Sequence, residues 1–158
     1  MTAPDEGNAP PAEVADTQPG DAPGMRLARG VCAGLAERGL ACMTEVPTRD
    51  GLRMDVCALA RDGEVWCVEI KSSRADFTAD SKWSGYLSWC DRFLFAVPEG
   101  FPEAILPSAH GLIRADAHGC EIVRPAARAP LPPARRKAVT LAFARLAADR
   151  LGRRAAHP

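Results

Sequence analysis

Residues 53–71, RMDVCALARDGEVWCVEIK, decide the fold. Two apolar runs, 53–60 and 64–71, flank Arg61-Asp62-Gly63, which is a strand–turn–strand pattern. The two-residue period of a strand puts Leu59, Cys57 and Asp55 on one face of the first run. It puts Val65, Cys67, Glu69 and Lys71 on one face of the second. A two-residue turn at Asp62-Gly63 would set Asp55 opposite Ile70, with the acids on opposite faces. A three-residue loop over 61–63 sets Leu59 opposite Val65, Cys57 opposite Cys67 and Asp55 opposite Glu69. That loop carries its third residue into the left-handed region, which favours glycine, and Gly63 stands there. Turn chemistry and strand period thus both set Asp55 abreast of Glu69, with Lys71 on the same face.

The device repeats one hairpin earlier. Arg49-Asp50-Gly51 follows a strand over 40–47, and a three-residue loop there sets Glu45 opposite Asp55. Glu45, Asp55, Glu69 and Lys71 would then line one face across three strands. Carboxylates so gathered repel one another without a cation, and hard oxygen ligands suit Mg²⁺ or Mn²⁺. Ordinary surface pairing of Glu69 with Lys71 is the competing explanation, because E-x-K is common by chance.

Outward from this core the reading continues in both directions. Leu27, Val31, Gly34, Leu35 and Arg38 recur at helical spacing over about 25–38, and Gly39 ends that helix. Phe77, Trp83, Tyr86, Leu87 and Cys90 predict a helix over about 75–90, with Ser73 and Asp76 as its capping box. FLFAV (93–97) reads as a buried central strand, and a short helix is expected near 101–106. Strands at 111–116 and 120–124 follow. A helix over 133–154 offers Val139, Leu141, Phe143, Leu146 and Leu151 for packing. The expected class is α/β, a mixed sheet flanked by helices, with an αβββαβ core followed by additional C-terminal strands and a helix.

The 158 residues carry no net charge, yet charge is segregated. Residues 1–24 hold five acids and no Lys or Arg; residues 124–158 hold nine bases and Asp149 as their one acid. The first stretch, rich in proline and glycine, reads as a disordered acidic tail. Residues 25–125 form the expected core domain, and 126–158 a Pro-rich linker and basic C-terminal helix, a charge pattern compatible with a polyanion. No apolar run is long enough for a membrane span and no secretory signal is expected, so the expected location is cytoplasmic. The six cysteines, none spaced C-x-x-C, read as small core residues in a reducing compartment. No Gly-rich phosphate loop occurs, and His110, His118 and His157 are given no role.

Asp55 followed by Glu69-x-Lys71 on the next strand resembles the PD-(D/E)XK nuclease superfamily. More closely, RMDV and then VEIKSSRADFTADSKWSGYLSWCDRFLFAVP (68–98) resembles the MmcB-like family of bacterial DNA repair proteins, over about residues 27–125. The resemblance implies a restriction-endonuclease-like fold, DNA as partner, and Asp55, Glu69 and Lys71 as catalytic residues. Asp55 and Glu69 would hold Mg²⁺ or Mn²⁺, and Glu45 is the candidate for a further acid, ahead of Glu37. Met54 stands where many superfamily members have proline. Lys82, Ser72, Ser73, Arg135, Arg136 and Lys137 are candidate nucleic-acid contacts. Other repair proteins are candidate partners. Two functions compete: a metal-dependent deoxyribonuclease, and a catalytically silent DNA-binding or recruitment module on the same fold.

Overall fold

A computed structural model describes residues 22–156. The expected tail therefore lies almost entirely outside the described residues, and at its boundary Pro23 already opens the first helix. This helix, α1 (Pro23–Glu37), takes proline in its first turn, where an N–H has no intrahelical partner. Strands β1 (Ala41–Pro47), β2 (Arg53–Leu59) and β3 (Val65–Ile70) form an antiparallel meander. A short helix, α2 (Arg74–Ala79), and a 3₁₀ segment (Trp83–Trp89) cross to β4 (Arg92–Val97), which lies parallel to β3. Then come β5 (Gly111–Ala115), β6 (Cys120–Arg124) and the long α3 (Pro133–Ala156). The six strands make one mixed sheet in the order β1-β2-β3-β4-β5-β6.

Both expected hairpin loops form. Gly51 and Gly63 each take φ of +85°, and the registers are Pro47↔Arg53 and Leu59↔Val65. Period-2 alternation then sorts the core into two layers. Val56, Ala58, Val68, Ile70, Leu94, Ala96 and Ile113 face α1, whose stripe is Leu27, Val31 and Leu35. Cys57, Val65, Cys67, Phe93, Phe95 and Val97 face the 3₁₀ segment and α3, through Tyr86, Trp89, Val139 and Phe143. Helix α1 approaches the sheet closely at Gly34, where a Cβ would lie 2.5 Å from the Cys120 sulfur.

Three expectations need correction. The helix expected over 75–90 is broken: α2 stops at Ala79, and Asp80 is extended at φ −102° and ψ 117°. The reason is tertiary, since Asp80 turns to reach Lys71 and the following backbone. The segment read as a linker is packed: Ala126 and Leu131 are buried, and the backbone of Ala129 and Leu131 is bonded to Asp91. On α3, Leu141 and Leu151 are exposed rather than packed. The cysteines are all free, with Cys57, Cys67 and Cys90 buried in the core.

Candidate active site

The β2–β3 ladder runs from Leu59↔Val65 to Val56↔Val68. The next level holds Asp55 and Glu69. There the Ile70 N–H donates to Asp55 Oδ2 at 2.9 Å, so a side chain takes the hydrogen bond where the ladder stops. Glu69 is level with Phe95 of β4, and the Lys71 N–H donates to the Ala96 carbonyl, which anchors the end of β3 against the centre of the sheet. Glu69 and Lys71 are both buried, at 4% and 2% exposure. The Lys71 ammonium donates to Glu69 Oε1 at 3.0 Å and to Asp80 Oδ2 at 2.5 Å.

Glu69 Oε2 is buried and has no hydrogen-bond partner. A buried carboxylate oxygen left bare is costly, and such atoms are scarce in folded proteins. Burial, then the neighbouring Asp55, pushes the Glu69 pKa up to about 8 against the pull of Lys71, and the Asp80 carboxylate, in hydrogen-bond reach, adds to the rise. Asp55 is likewise raised by burial, opposed by the Ile70 N–H and Lys71. Burial disfavours the Lys71 ammonium, but Asp80 and Glu69 overcome it and hold its pKa above the ordinary value.

Against this geometry stand the comparisons. The family model described as "DNA repair protein MmcB-like" matches residues 11–157. The chain belongs to the MmcB-like family. A solved structure of a protein of unknown function from Silicibacter pomeroyi is similar to it, at 51% identity and a TM-score of 0.81, covering 84% of this chain and 90% of that one. No curated protein matches.

In this MmcB-like chain the other candidate residues scatter. The β1–β2 register sets Glu45 level with Asp55, between Thr44↔Val56 and Val46↔Met54. Its backbone, however, takes φ of +58°, rare for a residue with a Cβ, and its exposed carboxylate pairs with Arg53 at 2.5 Å. The hairpin changes face here: Met43 and Cys57 pack towards the 3₁₀ side, and so do Val46 and Met54, three residues away along each strand. Glu37 is exposed at the end of α1, on the other side of the sheet. Ser73 caps α2 by accepting from the Asp76 N–H, and Asp76 accepts from the backbone and hydroxyl of Ser72. The Lys82 side chain is exposed. Trp83 packs on Phe93, Phe95 and His110. Arg135 lies over the Trp89 ring and donates to the Ser88 carbonyl, whereas Lys137 is exposed. Arg136 is committed to Asp91 through two bonds of 2.7 Å.

Two acids of consequence escaped the sequence reading, Asp80 and Asp91. Asp80 pairs with the Lys71 ammonium and accepts from the Lys82 backbone N–H, with Glu69 also in reach. Among the described residues no group of three His, Cys, Asp or Glu side chains is gathered as a metal set. Asp55 lies close enough to Glu69 to raise its pKa, Glu69 Oε2 accepts no hydrogen bond, and Mg²⁺ is commonly held by one or two carboxylates together with waters. The residues present fit such an ion.

Proposed function

We propose that this MmcB-like protein is a metal-dependent deoxyribonuclease acting in DNA repair, with a PD-(D/E)XK-type core. The observation that carries the reading is the bare, buried Glu69 Oε2 beside Asp55 and Lys71. Three ionisable groups crowded at the end of a buried strand, with one carboxylate raised far from its ordinary pKa, are the arrangement by which active sites tune an acid or a metal ligand. Asp55 and Glu69 would hold Mg²⁺ or Mn²⁺. Such an ion supplies a water of lowered pKa and stabilises charge developing on a phosphate. Lys71 would orient that water or donate to a phosphate oxygen, since its ammonium has three hydrogens and two are engaged. Membership in a DNA repair family supports DNA as the polymer.

One observation favours the silent module instead. Lys71 is held by two carboxylates and Glu45 is tied to Arg53, so the charges of the site are partly neutralised without a cation. Cleavage assays on single-stranded, nicked, flapped and branched DNA with Mg²⁺ and Mn²⁺ separate the two. The nuclease reading expects cleavage of at least one form by wild type and none by Glu69→Gln. Binding of DNA without cleavage of any form overturns it in favour of the module.

A further inference from the structure

We propose that Asp80 is a positioning residue that draws Lys71 partly off Glu69 and so keeps Glu69 open to a divalent cation; this rests on the metal-site reading above. The Lys71 ammonium stands between two carboxylates, 3.0 Å from Glu69 Oε1 and 2.5 Å from Asp80 Oδ2. A buried ammonium with Glu69 as its one counter-ion would close on that carboxylate and compete directly with a metal for it. Asp80 divides the attraction. The fold spends a helix on this arrangement: α2 ends after six residues, and the Asp80 backbone turns extended. The carboxylate is then held at both oxygens, Oδ2 by Lys71 and Oδ1 by the Lys82 N–H at 2.7 Å. In a continuous helix through 75–90 Phe77 would stand about 180° around the axis from Tyr86, so the break also lets Phe77, Trp83 and Tyr86 pack on the same core layer. The break brings the Asp80 carboxylate onto the Lys71 ammonium and beside Glu69.

Asp80 therefore acts on the cation through the Lys71 ammonium that it shares with Glu69. The test is calorimetric titration of Mn²⁺ into the full chain, for wild type, Asp80→Ala, Lys71→Ala and the double variant. Asp80→Ala is expected to weaken Mn²⁺ binding about tenfold or more, the usual effect of losing a group that supports a metal ligand. In the Lys71→Ala background the same change is expected to have almost no effect, because the competing ammonium is gone. An equal loss in both backgrounds makes Asp80 a ligand and overturns the inference. So does an Asp80→Ala protein that binds as wild type does. If Asp80→Ala fails to fold, the double variant carries the test: binding at least as tight as in Lys71→Ala supports the proposal, and weaker binding overturns it. A wild type that binds no Mn²⁺ sinks the metal-site reading itself, a result distinct from wild-type binding that Asp80→Ala leaves intact.

Discussion

Two carboxylates are buried to nearly the same degree in this protein, and their surroundings are opposite. The Asp91 side chain is fully buried, and every direction around it is answered. It accepts from the Val65 N–H at 2.8 Å, the Leu131 N–H at 2.9 Å, and both Arg136 terminal nitrogens at 2.7 Å. Burial raises its pKa, but Arg136 and the two backbone donors outweigh that and hold it down at about 2. Glu69 has one lysine on one oxygen and no donor on the other, and its pKa is pushed up to about 8 by burial, by Asp55 and by the nearby Asp80. The contrast separates two uses of a buried charge. A satisfied acid fastens chain segments together, here β3, the 125–132 strap and α3. An unsatisfied one is a binding capacity that the fold maintains at its own expense.

The sharpest way to break this contrast is to remove each acid in metal-free buffer. Asp91→Ala leaves two N–H groups and a guanidinium without their partner, and is expected to cost about 3 kcal/mol or more of unfolding free energy. Glu69→Gln keeps the shape of the neutral acid that predominates below about pH 8, and is expected to change stability by about 1 kcal/mol or less. Urea unfolding in EDTA measures both. Equal losses would mean that Glu69 is also a structural anchor.

Stability against pH gives a second, smaller contrast of opposite sign. The folded pKa of Asp91 is depressed, so its contribution is present above the unfolded value near 4 and is lost as pH falls through about 2. The folded pKa of Glu69 is raised, so its neutral form favours the fold below the unfolded value, and that support is lost as pH rises through about 8. Metal-free wild type is therefore expected to weaken at both ends. Asp91→Asn should flatten the acid limb and Glu69→Gln the alkaline one. Thermal midpoints from pH 2 to 9 check this, and unchanged limbs in the variants would count against the assignment.

The smallest effects concern the basic end of the chain. Arg136 belongs to the Asp91 anchor, so Arg136→Ala is expected to destabilise the protein, whereas exposed Lys137→Ala should change stability by no more than about 0.5 kcal/mol. If DNA crosses this face, losing Lys137 lowers the log–log salt slope of binding by at most about 0.9. An unchanged slope makes Lys137 part of a solvated helix face.

How much of this was legible follows from the kind of interaction involved. Strand period and a glycine at the third loop position were enough to set Asp55 level with Glu69, because both are local rules and Gly63 obeys them. The same rules set Glu45 level with Asp55, yet its positive φ and its pairing with Arg53 lie beyond any period. The helical spacing of Trp83, Tyr86, Leu87 and Cys90 carried the expected helix across the break at Asp80; Phe77, out of step with them, was its local sign, while the ion pair with Lys71 nine residues away left none. The Asp91 anchor spans 45 residues to Arg136, and nothing in the Pro-rich stretch between them signals that it is strapped down. Local chemistry was readable, while charge pairing at a distance was not.

The central claim is that Glu69 and Asp55 hold a divalent cation, and calorimetric titration of Mn²⁺ tests it most directly. Wild type, Asp55→Asn and Glu69→Gln would be compared with and without DNA. The account predicts binding by wild type and its loss in both variants, with the metal-free thermal midpoint kept or raised. Wild type that binds no Mn²⁺ even with DNA present, or variants that bind it as tightly as wild type, would contradict the account.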